Sequence, residues 1–336
     1  MKKKIISFYR KNKKVILLIA RIAISVSLIV YLMKTKLNDF PSVIGILKSS
    51  NKILLLLSLS THIFGTWITA FRWKTLLNTR EVKLSTAALS AIVLIGSFFN
   101  NFLPTSIGGD IFRTYDASKK AKIPLGTSVS VILVERFSGV VSAAVYAVAA
   151  LFLGFTAIGH QSVIIPIVIF FIITVILAFL IINPSLFRLN KISSKFKFIR
   201  KLKEKLSTVY NTLVSFKKYK VVLIEVLIFS FILQFTVILN WWLAARALGI
   251  NLTLTAFIFI VPVVAVIAMM PISIGGIGLR ENSLVFIMIA MGVTNEKAAL
   301  CSLLILFMII LMGIAGGIIY VIRPYFERRS KKNDTV

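Results

Sequence analysis

PTSIGGDIFR, residues 104–113, and PISIGGIGLR, residues 271–280, share Pro, Ser, Ile, Gly, Gly and Arg at matching places. Each follows an apolar run, 84–103 or 252–270, and each leads into a short arm, 110–119 or 281–291. Proline lacks an N–H and disfavours a helical residue before it. The paired glycines, Gly108 with Gly109 and Gly275 with Gly276, allow positive φ and close backbone approach. Pro104 and Pro271 are therefore expected to mark broken helices. A bilayer crossing takes about 20 residues, so arms of roughly ten cannot span. Each run with its motif is expected to enter, turn and leave on one side, as a re-entrant hairpin over 84–119 and another over 252–291.

The rest of the chain is built for a bilayer. Of 336 residues, 58% are hydrophobic, and mean hydropathy is +0.94. Soluble domains are nearer half apolar and patterned rather than continuous. Full spans are expected at about 15–33, 53–71, 125–153, 163–182, 221–245 and 298–322. The N-terminal run lacks a small-residue cleavage site and reads as a retained span, not a signal peptide. The expected fold is an all-α polytopic membrane protein, with six full spans and two hairpins. It forms a single transmembrane domain over 1–336: a first half at 15–182, a basic connector at 183–220, a second half at 221–322 and a basic tail at 323–336.

The net charge of +29 suggests nucleic acid at first sight, but its distribution does not. The basic residues cluster at the N-terminus, in the connector and in the tail, beside apolar runs, where positive charge marks the cytoplasmic face and meets anionic headgroups. No nucleic-acid partner is expected. If 84–103 crossed fully, Lys119, Lys120, Lys122 and the connector would fall outside, against the positive-inside rule. With a hairpin there, both termini and the connector 72–83 lie in the cytoplasm, and the second hairpin enters from the opposite face. That is an inverted-topology repeat, an arrangement that in transporters places interrupted helices around a midplane site.

A new helix begins after each break, and its N-terminal N–H groups favour an anion. Arg113 and Arg280 each add a fixed charge and a planar fork suited to phosphate. The expected phosphate site is Arg113, Arg280, Gly108, Gly109, Gly275 and Gly276. The alternative is that the glycines only pack and the arginines snorkel to an interface. Asp110, Glu135, Arg136 and Glu281 also lie in apolar surroundings, where ionisable groups pair or line a pathway. They are expected as ion-pair or coupling groups, although Arg280 and Glu281 diverge by about 100° on a helix. Arg21 is open between pairing and function, and Glu225 near a span end suits solvent access. His62 and His160 lack metal-ligand spacing, and Cys301 stands alone, so no metal, cofactor or intrachain disulfide is expected. No enzyme motif stands out. Asp39 is one acid that a membrane glycosyltransferase reading could use.

Three pieces carry a resemblance: Asn101, Pro104, Gly108, Gly109, Asp110 and Arg113; the pair Glu135-Arg136; and Pro271, Ser273, Gly275, Gly276, Gly278, Arg280 and Glu281. Together they resemble the lysylphosphatidylglycerol synthase transmembrane region, a flippase-like family also called UPF0104. The resemblance covers nearly the whole chain. It implies movement of aminoacylated phosphatidylglycerol between leaflets, with a separate soluble domain making that lipid. The chain stops at Val336 without such a domain, so no enzyme activity is expected and lysyltransfer would follow from the family name alone. The expected function is a flippase-like protein of the plasma membrane for anionic or phosphate-bearing lipids, aminoacyl-phospholipid or polyprenyl-linked. The alternative is an accessory subunit for a lipid-modifying enzyme or glycosyltransferase.

Overall fold

The computed structural model describes residues 2–37, 39–102, 108–152, 171–172, 174–176, 214–268, 270 and 272–333. Pro104, Pro271, most of the expected span 163–182 and the connector up to 213 lie outside the described residues. The helices are α1 (Lys2–Lys36), α2 (Phe40–Lys48), α3 (Lys52–Asn78), α4 (Thr86–Phe102) and α5 (Gly108–Ala121). They continue as α6 (Leu125–Phe152), α7 (Lys220–Ala247), α8 (Leu254–Ala268), α9 (Leu279–Ala290) and α10 (Asn295–Asn333). There is no strand among the described residues.

Among the described residues, five stretches are long and apolar enough to cross a bilayer: Ile16–Lys36, Lys52–Asn78, Leu125–Ala150, Lys220–Ala247 and Asn295–Arg323. Their outer faces carry apolar side chains such as Ile53 (69% exposed) and Leu56 (65% exposed), which lipid solvates and water does not. The two helices that lead into the motifs are shorter. α4 has 17 residues and α8 has 15. At 1.5 Å per residue they reach about 22–26 Å, less than the roughly 30 Å hydrocarbon core.

Two apolar cores occupy opposite ends of the bundle. One joins Trp73, Leu76 and Leu77 of α3 to Leu89 at the start of α4, Ala117 at the end of α5 and Val131 near the start of α6. The other joins Leu32 of α1 to Ala256 and Phe257 at the start of α8, Met288 at the end of α9 and Ala298 at the start of α10. The pair α4–α5 therefore opens toward the first core, and the pair α8–α9 toward the second. The segment before α9 reaches the end of α4: a Cβ at Gly275 would lie 3.2 Å from the Asn100 carbonyl oxygen.

Helix packing is preserved when α3, α4, α5 and α6 are exchanged with α7, α8, α9 and α10. α4 packs on α10, and α8 on α6. α4 also packs on α3 and α5, as α8 does on α7 and α9. α3 and α7, which exchange with each other, share the most extensive interface.

Close approach at these interfaces rests on glycine and on buried polar pairs. Gly313, Gly316 and Gly317 of α10 lie against Asn101, Leu94 and Phe98 of α4. Phe99, Phe112 and Tyr320 then fasten α4, α5 and α10 through ring contacts of 4.7–5.8 Å. Between α3 and α7, Asn240 Nδ2 donates to the Ser58 carbonyl at 2.6 Å, and Ser58 Oγ donates to the Asn240 carbonyl at 2.9 Å. Asn240→Ala leaves the Ser58 groups short of a donor, and a cost of about 1–2 kcal/mol is expected. Thermal unfolding in detergent, with the exposed Asn251→Ala as reference, checks it.

One sequence-based expectation needs correction. Arg72, assigned to the basic connector 72–83, lies inside α3 at 6% exposure, because Trp73, Leu76 and Leu77 continue the apolar face to Asn78. Asp39 caps α2, its carboxylate accepting the Ser42 N–H at 3.2 Å.

Candidate functional site

The two glycine pairs solve the same problem differently. Gly275, Gly276 and Gly278 take φ of 57°, 78° and 83°, so the second turn uses the left-handed region that glycine permits. Gly108 and Gly109 instead open α5, and Gly109 has no positive φ. Gly109 is needed for close approach, since a Cβ there would strike the Gly96 carbonyl of α4. Asn100 Oδ1 accepts the Gly109 N–H at 2.8 Å, satisfying one of the orphan donors of the new helix. At the second turn that role falls to Glu281, whose Oε2 accepts the Gly278 N–H at 2.6 Å. α1 braces this turn: Ser25 Oγ accepts the Ile274 N–H at 3.0 Å, and Asn282 Nδ2 donates to the Leu28 carbonyl at 3.0 Å.

The ionisable residues form two groups. In the first, Glu135 of α6 is 3% exposed and lies between two arginines. Its Oε1 accepts from Arg72 Nη2 at 2.8 Å and its Oε2 from Arg113 Nη2 at 2.7 Å. Arg72 Nη1 also donates to Ser230 Oγ of α7 at 3.0 Å. The Arg113 guanidinium stacks over Trp73 at 4.5 Å, and its stem passes Gly96, where a Cβ would come within 2.9 Å of Arg113 Cγ. Asp110 pairs with Arg136 at 2.6 Å and, more loosely, with Arg113 at 3.7 Å.

The second group is smaller. Arg280 Nε and Nη2 lie 2.8 and 2.6 Å from Glu281 Oε1. Neighbours on a helix ordinarily diverge. These two meet because they begin α9, where Glu281 reaches back to Gly278 and Arg280 folds over the same carboxylate. The repeated arginine thus has a different counter-ion in each half: a carboxylate from the next span for Arg113, and its own neighbour for Arg280.

Both motif arginines line one central cavity of about 380 Å³, together with Asp110 and Arg136. This is within the usual range for small-ligand pockets, about 300–1,000 Å³. The guanidinium side chain of Arg136 is 54% exposed, whereas Arg113 and Arg280 are 8% and 15% exposed. Around the cavity and directly behind it, four arginines (72, 113, 136 and 280) face three carboxylates (110, 135 and 281), leaving one positive charge in surplus. Arg113 Nε makes no hydrogen bond among the described residues. The chemistry on offer is recognition of an oxyanion in a partly desolvated chamber.

The other walls were not singled out from the sequence. His62, Thr66 and Thr69 of α3, Thr236 and Asn240 of α7, and Ser97 of α4 also border the cavity. The 62, 66, 69 spacing puts three polar groups on one face of an otherwise apolar span, which is the signal that marks them. Trp73 and Asp116 give no such signal, and Arg72 and Arg323 read from the sequence only as basic flanks of spans; Asp116 and Arg323 pair in bidentate fashion at 2.8 and 3.0 Å. Arg21 is half-buried on α1, and Glu225 is exposed on α7.

Comparison with known proteins follows the same lines. The family model described as "Lysylphosphatidylglycerol synthase TM region" matches residues 18–317. A UPF0104 membrane protein of Methanocaldococcus jannaschii is 25% identical over 310 residues, covering 87% of this chain and 89% of the relative. No solved structure gives a significant match.

Proposed function

The chain belongs to the lysylphosphatidylglycerol synthase TM-region family, and from that premise we propose that it binds anionic, phosphate-bearing lipids in the central cavity and moves them between leaflets. The observation that carries this reading is the convergence of Arg113, Arg136 and Arg280 on one chamber with surplus positive charge. The volume suits a headgroup, while acyl or prenyl chains stay in the bilayer. Aminoacyl-phospholipids and polyprenyl-linked lipids both meet the phosphate requirement.

The proposed topology supplies the route. The α4–α5 and α8–α9 pairs, opening toward opposite ends, are read as re-entrant hairpins of an inverted-topology repeat. The packing exchange between halves supports that reading. With a sixth span at 163–182, both termini fall on the cytoplasmic side of the plasma membrane. A site between two such hairpins is reachable from either face in turn, the arrangement that alternating access needs. The activity proposed is transport, with no chemical step.

Arg113 also neutralises buried Glu135, so its loss reports on folding as well as binding. The variants that leave Glu135 paired are Arg280→Gln, Arg136→Gln and their double, each checked for a monodisperse fold because Arg280 also neutralises buried Glu281. Native mass spectrometry of the wild type is expected to retain a phosphate-bearing lipid that the double variant loses, with Arg280→Lys intermediate because the planar fork is gone. In proteoliposomes carrying a fluorescent phosphate-headgroup lipid, wild type is expected to move the probe between leaflets and the double variant to fall at least about tenfold, or roughly 1.4 kcal/mol. Retained lipid without movement would favour the accessory-subunit reading. Equal retention and movement by the double variant would remove the arginines from the site.

A further inference from the structure

Within the reading just given, on which this step rests, we infer that the cavity selects a phosphate headgroup rich in hydroxyls over one that carries an ammonium. Two features of the chamber wall point there, one concerning hydrogen bonds and the other charge.

The uncharged wall offers acceptors. Thr66 Oγ1 donates to the His62 carbonyl at 3.2 Å, Thr69 Oγ1 to the Gly65 carbonyl at 2.8 Å, and Thr236 Oγ1 to the Ile232 carbonyl at 2.7 Å. Ser97 Oγ donates to the Val93 carbonyl at 3.2 Å. Each hydroxyl spends its only proton on its own helix and keeps lone pairs for whatever fills the cavity. A phosphodiester brings no donors, so this wall requires O–H or N–H groups elsewhere on the headgroup.

Charge then decides between those two donors. An ammonium needs an accessible carboxylate, and none is left over among the described residues. Glu135 is enclosed by Arg72 and Arg113. Glu281 is taken by Arg280 and the Gly278 N–H. Asp110 is the carboxylate that lines the cavity. Its Oδ2 is held by Arg136, and its Oδ1 is buried, accepts no hydrogen bond among the described residues and lies 3.7 Å from Arg113 Nη1. A cationic headgroup would therefore meet surplus positive charge in a partly desolvated chamber, where like charges repel more strongly than in water. Neutral hydroxyls satisfy the same acceptors without that repulsion. The preferred ligand class is thus a lipid phosphate ester of a polyol or sugar, and an aminoacylated headgroup is disfavoured.

The test is competition by native mass spectrometry on the full chain in detergent, with chain-matched phosphatidylglycerol, lysyl-phosphatidylglycerol and phosphatidic acid. Phosphatidylglycerol is expected to outcompete the lysyl form by roughly tenfold or more. Thr66→Val/Thr69→Val, which keeps the side-chain shape, is expected to lower phosphatidylglycerol occupancy to that of phosphatidic acid and leave phosphatidic acid unchanged. Excess glycerol 1-phosphate is expected not to displace the lipid; displacement as effective as that by phosphatidylglycerol would place the ligand in water and overturn the lipid assignment. Equal or higher occupancy by the lysyl form, still lost in Arg280→Gln, would overturn the selectivity while leaving phosphate binding intact. Failure of all three lipids to bind a folded wild type would overturn the underlying reading itself.

Discussion

Glu135→Ala is expected to lower stability by about 3–5 kcal/mol, among the largest effects of any single substitution in the chain. The carboxylate is the shared counter-ion of Arg72 and Arg113, which reach it at 2.8 and 2.7 Å from different helices. Removing it leaves two guanidinium groups, each about 8% exposed, in a region that cannot hydrate them. Isolated buried charge is costly, whereas the complete pair roughly balances its own desolvation. The site also joins α3, α5, α6 and, through Ser230, α7, so the repulsion would act on the junction of the bundle. Glu135→Gln keeps the shape and one acceptor and should recover part of the loss. Arg136→Ala is the contrasting control, because its guanidinium is 54% exposed and a smaller change should follow. Thermal unfolding in detergent followed by size-exclusion chromatography ranks the three. Similar midpoints for Glu135→Ala and wild type would mean that the arginines find other compensation.

Gly316→Val is expected to be comparably damaging, at about 3 kcal/mol or more, for a steric reason. A Cβ at Gly316 would fall inside contact distance of the Leu94 carbonyl, which is backbone and cannot rotate away. Gly313 and Gly317 are similarly filled, by Asn101 and Phe98, with would-be Cβ contacts of 2.5 and 2.8 Å. A β-branched side chain at the middle position must push α10 off α4 and disturb α5, which packs on α4 and carries Arg113. Packing through small residues is the usual means of close helix contact in lipid, where no hydrophobic force holds helices together. Gly126→Ala serves as the reference, since nothing lies within 4 Å of that position and alanine favours a helix. Loss of monodisperse protein in Gly316→Val with a normal Gly126→Ala is the expected pair of results. Normal yield and midpoint for Gly316→Val would mean that the α4–α10 contact tolerates separation.

The membrane class and the broken helices were legible in the residues because both are local properties. Apolar runs of span length record themselves in composition, as do α3, α6 and α7. A Pro-and-Gly motif after an apolar run breaks a helix whatever surrounds it, and new helices start within the motifs, α5 at Gly108 and α9 at Leu279. Span ends were less legible: α3 continues past the expected limit because its charged Arg72 is neutralised by Glu135, 63 positions away. The line of Gly313, Gly316 and Gly317 is a visible signal that was not used.

The motif itself announces that two arginines recur, and short-range chemistry reads that far. It does not announce that Arg113 answers to Glu135 and Arg280 to Glu281, nor that both arginines open on one chamber bordered by His62, Thr66 and Thr69. Those facts depend on which helix faces which. That choice is made by glycine contacts and buried polar pairs between residues far apart in the chain, such as Ser58 with Asn240. Backbone breaks are decided within a few residues of the break. Charge compensation and cavity shape are decided only when the helices pack, because Coulomb energy and steric fit depend on distance in space and not along the chain.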